Sequence, residues 1–147
     1  MTIKASTGLR NSMLVTGSLR SLLNGGLINI YAGAAPATAD ADLGGATLLC
    51  AVTVNSTGTG INFDTAASGG VLQKAPGEVW SGVNVATGVA SFYRHVAAGD
   101  AGDASTTAAR LQGTIGIAGA DLNLSSTSLT SGATQTIDYY SVALPTL

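Results

Sequence analysis

The sequence predicts a mainly β chain: a β-sandwich or jelly-roll-like single domain with one N-terminal amphipathic helix. Three observations lead there. Short apolar and β-branched runs recur about every 8–12 residues from position 27 onward, separated by Gly, Ser, Thr, Asn and Pro. A helical apolar stripe occurs once, over 7–23. The chain has 147 residues, 46% hydrophobic and only 10% charged, with 20 glycines. That suffices for one packed core and is far from the composition of charge-driven disorder. With no repeat or linker dividing it, residues 1–147 read as one domain: a helix over 7–23, then a sandwich over 27–147.

Within the helix, Leu9, Met13, Leu19, Leu22 and Leu23 form the stripe, interrupted near Gly17. Ser6 or Thr7 can cap its start, because a hydroxyl there accepts a hydrogen bond from an otherwise unpaired backbone N–H. Asn24-Gly25-Gly26 provides the left-handed residue that ends it. Gly17 weakens the middle by about 1 kcal/mol relative to Ala, so the helix depends on packing.

The strands follow in order. Leu27 to Tyr31 ends at Gly33, and 34–45 is a loop holding Pro36, Asp40 and Asp42. Thr47 to Asn55 is the second strand, closed by the turn Ser56-Thr57-Gly58-Thr59-Gly60. Ile61 to Asp64 alternates, Val71 to Lys74 follows Gly69-Gly70, and Trp80 precedes Val83-Asn84-Val85. Val89 to Val96 reads as one strand, 97–105 as a mobile Gly-rich loop, and Ala108 to Ala118 as another strand. Asp121 to Leu124 alternates, and Ala133 to Leu144 reads as a last strand stopped by Pro145.

The residue inventory argues against most catalytic chemistries. His95 is the single histidine and Cys50 the single cysteine, so no intrachain disulfide or two-histidine metal site forms. Cys50, inside Leu48-Leu49-Cys50-Ala51-Val52, reads as a buried core residue with no cationic neighbour to activate it. His95 reads as a half-buried or surface strand residue before it reads as a general base. No Gly-x-Ser-x-Gly elbow is present. Asp100 and Asp103 lack the Asp-x-Asp-x-Asp-Gly frame of a calcium loop and read as solvated, as do Asp40 and Asp42. Gly113, Gly116 and Gly119 mark bulges or close backbone contacts, since neither a lysine nor a helix follows to make a phosphate cradle. Neither a metal nor another cofactor is expected.

A net charge of -2 without a cationic run gives no footprint for nucleic acid. The apolar run Met13-Leu14-Val15 is broken at Thr16-Gly17-Ser18, short of a signal peptide or a membrane span, so cytoplasmic synthesis is the expectation. Trp80, Phe92, Tyr93, Tyr139 and Tyr140 are nearly all the aromatics. They read as core anchors, and an exposed row of them would instead suit a sugar-binding face. Arg94 and Arg110 lie on strands with few local acids, which makes them, with Arg10 and Trp80, candidate partner-contact residues.

Several blocks together resemble a family of small virion proteins encoded in the structural modules of tailed bacteriophages and prophages. They are Thr7-Gly8-Leu9-Arg10-Asn11, Asn24-Gly25-Gly26 with Ile30-Tyr31-Ala32-Gly33, and Pro36-Ala37 with Ala39-Asp40-Ala41. Glu78-Val79-Trp80-Ser81-Gly82 and Ser105-Thr106-Thr107 with Gln112-Gly113-Thr114 follow. The last are Gly119-Ala120-Asp121-Leu122-Asn123-Leu124-Ser125-Ser126 and Thr136-Ile137-Asp138. The resemblance implies a non-enzymatic capsid decoration or cement protein on the outer surface of the virion. Its implied partner is the major capsid protein, and it would act as a homo-oligomer, a dimer or trimer, bridging capsomers. With so few charges, its binding to a shell is expected to depend weakly on salt. A tail or head–tail connector component is the alternative within virions, and a glycan-binding host-adsorption module the alternative of another class.

Overall fold

Alternating burial along the second strand shows how this sequence builds its layers. In the computed structural model, which describes residues 3–146, Ile28 and Ile30 of β2 (Leu27–Ala32) point into the core. Asn29 and Tyr31 face the opposite side of the sheet, as the period of two in a strand dictates. The other strands are β1 (Lys4–Ala5), β3 (Thr47–Val54), β4 (Val71–Gln73), β5 (Trp80–Val83), β6 (Gly88–Val89) and β7 (Phe92–Val96). They continue with β8 (Arg110–Gly116), β9 (Leu122–Asn123), β10 (Ser128–Leu129), β11 (Thr134–Ile137) and β12 (Ser141–Ala143).

The main sheet runs β1-β8-β7-β2-β3-β5-β11, with β9 parallel to β8 at its side. Strand β3 turns the corner: its first part pairs with β2 and its end with β5, after a register shift opposite Ile30/Tyr31. Two small ladders, β4–β12 and β6–β10, close over the sheet. The chain is thus mainly β, a sandwich-like single domain. One core row crosses the inner face as Val52, Ile28, His95 and Leu111, and the next as Cys50, Ile30, Tyr93 and Gly113. Leu9, Leu23, Ile61, Phe63, Trp80, Ile137 and Tyr140 complete the same cluster. Each fully buried leucine or isoleucine contributes about 1.5–3 kcal/mol relative to exposure.

The single expected helix is two. Helix α1 spans Thr7–Val15 and α2 spans Leu19–Leu23. The break has a local cause in Ser18, whose hydroxyl accepts from the Ser21 N–H while the Ser21 hydroxyl accepts from the Ser18 N–H. This capping box starts a new helix where the stripe alone predicted continuation. Ser6 caps α1, its hydroxyl accepting from the Leu9 N–H at 3.1 Å and donating to the Ala108 carbonyl at 2.7 Å. Gly25 takes the left-handed conformation after α2, with φ of 78°.

Three strand boundaries also differ from the reading of the sequence. The expected Val89–Val96 strand divides because Ser91 turns its N–H to the Tyr31 carbonyl and its hydroxyl to Gly33. The run from Ala133 to Leu144 divides at a corner over 138–140, sending β11 to the main sheet and β12 to β4. Residues 61–64 make isolated bridges and no ladder. Gly113 earns its place by a close approach: a Cβ there would sit 2.7 Å from Cε1 of Tyr93.

Candidate functional site

The outer face of the main sheet carries the polar row Lys4, Gln112, Arg94, Asn29, and the 33–45 loop covers it. Arg94 donates from Nε to Gln112 Oε1 at 2.9 Å and from Nη2 to the carbonyls of Ala41 at 2.7 Å and Thr38 at 3.3 Å. Gln112 in turn donates to the Pro36 carbonyl at 2.7 Å. Arg110 forms a two-pronged ion pair with Asp100, at 2.6 and 2.7 Å, and also reaches the carbonyls of Ala39 and Asp103. Such a planar fork favours arginine over lysine. Burial lowers the Arg94 pKa and the nearby Arg110 charge adds to that. Asp100 raises the Arg110 pKa through its hydrogen bond and charge.

These contacts revise two expectations. Arg94 and Arg110 are buried and bound within their own chain, so neither lies on a surface that a partner reaches. Their positive charges needed acceptors, and the loop carbonyls and Asp100 supply them. Loop 97–105, expected to be mobile, is tied down through the carboxylate of Asp100, while Asp103 is exposed, as expected of a solvated acid. Asp40 is likewise engaged, accepting from the Thr7 N–H at 2.8 Å and hydroxyl at 2.6 Å at the start of α1. The Thr7 hydroxyl chiefly lowers its pKa.

Trp80, the third candidate contact, is also interior. Its indole donates to Glu78 Oε2 at 2.8 Å, and its ring packs edge-on to Phe63. Glu78 accepts from the N–H and side-chain amide of Asn62 as well. Burial alone would raise the Glu78 pKa, but these hydrogen bonds hold it below the usual range. Lys74 Nζ lies 5.6 Å from the Trp80 ring centroid. The result is a structural brace.

His95 is fully buried rather than half-buried or at the surface, because its strand position belongs to the core row. Its ring lies 5.3 Å from that of Phe63, and Nδ1 is 3.4 Å from the Tyr140 hydroxyl. Burial pushes its pKa down to about 4. Cys50 is buried as expected, and burial raises its thiol to about 11. Both are enclosed apolar-core groups without access to a substrate. Among the described residues, no cluster of three His, Cys, Asp or Glu side chains is placed to hold a metal ion.

Arg10, the fourth candidate, is exposed on α1, its guanidinium donating to the Thr7 hydroxyl at 3.0 Å. It lines the largest surface feature described, an apolar cleft of about 920 Å³. Ile3 and Ala5 form one wall, Met13 and Leu14 of α1 another, and residues 141–145 the third, with Leu111 at the floor. A further depression of about 400 Å³ shares Met13, Leu19, Val142 and Leu144 with it. At the rim, Leu14 is 84% and Leu144 61% exposed. Among the described residues, no helix is long and apolar enough to cross a membrane.

Reading the sequence for chemistry missed this site, because it is built from aliphatic side chains. The one signal was Met13-Leu14-Val15, whose last two residues fall off the buried stripe. Of the aromatics weighed as a sugar platform, Trp80 and Tyr93 are buried, whereas Tyr139 is 89% exposed. No family model, curated protein or solved structure matches the chain.

Proposed function

We propose that the chain is a non-enzymatic structural protein of a tailed-phage virion. It decorates and cements the capsid by docking the cleft beside α1 onto the major capsid protein. The observation that carries this reading is the division of labour in the side chains. The buried arginines, the histidine and the tryptophan are engaged inside the fold, while a large apolar cleft stands open. The family-like blocks identified in the sequence support the same reading. A protein that binds only the assembled shell stabilises it by mass action, and many copies multiply a modest contact energy. Dimers or trimers would extend that effect across neighbouring capsomers.

Co-sedimentation of the purified protein with shells assembled from the major capsid protein tests the reading. Leu14→Asp together with Leu144→Asp should weaken binding at least about a hundredfold, because each loses a burial of about 1.5 kcal/mol or more. Raising the salt should change binding of the unaltered protein little. Unchanged binding by the double variant, or a steep salt dependence, contradicts the proposal.

Tyr139 favours one second reading, a glycan-binding adsorption module. It stands beside two shallow depressions that share Lys74 and Asp138. Sugar affinity lost in Tyr139→Ala would support that function instead.

A further inference from the structure

The walls of the apolar cleft carry two strand edges. In the β1–β8 ladder, Ser6 donates its N–H to the carbonyl of its partner Arg110, at 2.9 Å. Antiparallel pairs alternate between bonded and non-bonded positions. Lys4, opposite Gln112, is therefore also a bonded position, and the N–H and C=O of Ile3 and Ala5 turn away from β8. The same argument applies to β12. Lys74 donates to the Tyr140 carbonyl at 2.8 Å and Leu144 donates to the Gly70 carbonyl at 3.0 Å. Val142, opposite Leu72, is then bonded to β4, while the main-chain groups of Ser141 and Ala143 turn outward. All four outward residues line the one cleft. Strand β1 ends the main sheet, and β12 pairs with β4 alone among the described residues.

We infer that the cleft is a slot for one extended peptide arm of another polypeptide. The arm adds as a strand to the outward edges at Ala5 and Ala143 and buries alternate apolar side chains on Leu111. An acidic residue of the arm meets Arg10. Main-chain hydrogen bonding gives such strand addition its affinity, and side-chain pockets give its specificity. Both edges open onto the one cleft beside α1, so an extended chain, with both of its own edges free, can pair with each at once, whereas the edge strand of a folded second copy has one free edge and pairs with only one. Charge complementarity sets the acidic position. Arg10 makes no ion pair among the described residues. Asp121, which also lines the cleft, has its carboxylate turned to the Thr114 N–H and hydroxyl. The identity of the arm as a segment of the major capsid protein rests on the proposed function; the strand slot does not.

Proline substitution isolates the strand contribution. Ala5→Pro removes an outward N–H and leaves the bonds of Lys4 and Ser6 to β8, and Ala143→Pro does the same on β12. Proline is tolerated on an edge when its missing N–H faces away from the ladder. The probe is the peptide acetyl-Val-Thr-Val-Asp-Val-Thr-amide, followed by amide NMR shifts and hydrogen exchange. The unaltered protein should bind it with a dissociation constant of about 1 mM or tighter, with protection at Ala5 and Ala143. Either proline variant should lose at least about tenfold in affinity, and Arg10→Gln a smaller factor. Val89→Ser, an exposed change elsewhere, should bind normally.

The same variants are then tested on shells. Binding of the peptide through these edges with no binding to shells keeps the slot and removes the capsid assignment. Shell binding that both proline variants retain, with their melting points unchanged, overturns the slot and leaves the decoration reading intact. Absence of peptide binding at about 10 mM, or cross-linking of Ala5→Cys only to a second folded copy, also overturns it.

Discussion

His95 should make this protein sensitive to mild acid. In the folded state its ring is fully buried against Phe63 and Tyr140, and burial lowers its pKa to about 4, against 6.5 when exposed. The Leu23 carbonyl offsets only part of that burial. Because the unfolded chain takes up the proton first, stability is fully present above pH 6.5 and falls as the pH drops toward 4. A gap of about 2.5 pH units at about 1.4 kcal/mol each amounts to about 3 kcal/mol. That is a large share of the 5–15 kcal/mol typical of a domain. Urea unfolding at several pH values between 7 and 4.5 measures it, with His95→Leu as the comparison. The carboxyls of Asp40, Glu78 and Asp100 are also lowered in the folded protein, and their contribution to the loss on acidification is shared by both proteins. The unaltered protein should lose stability more steeply than the variant. Parallel loss, or an NMR titration of His95 near 6.5, would refute the reasoning.

Other perturbations read separate parts of the fold. Asp100→Asn leaves the buried Arg110 guanidinium without its counter-charge and should cost about 3–5 kcal/mol in urea unfolding; a loss under about 1 kcal/mol would mean that water reaches the pair. Gly113→Ala forces the Tyr93 ring aside and should destabilise by about 1–3 kcal/mol, with changed chemical shifts at Tyr93. The thiol of Cys50 should resist a disulfide reagent at pH 8 until the protein unfolds, because burial holds its pKa near 11. Rapid labelling of native protein would contradict its enclosure.

Local pattern made much of the fold legible. The strand from Leu27 to Tyr31, the Ser6 cap and the Gly25 terminus depend on neighbours within a few residues, and each has the expected structure. What the sequence hid depends on long-range partners. Arg94 and Arg110 looked unpaired because their acceptors, Asp100 and the carbonyls of 38–41, reach them only through the tertiary fold. The fate of the 133–144 segment depended on the distant β4, to which no local residue points. For the site, only Arg10 and the apolar run at Met13-Leu14 were legible. The cleft around them brings together segments far apart in sequence, Ile3 and Ala5 with residues 141–145, and is made of side chains that signal nothing alone.

The proposed function makes this chain part of an assembled virion. The most direct test is its copy number relative to the major capsid protein in purified particles, by quantitative mass spectrometry. A capsid decoration protein should give a ratio near one, or a simple fraction set by the symmetry axes of the shell. A count of about six to twelve per particle would move the chain to a head–tail or tail ring, and its absence from the particles would contradict the virion assignment.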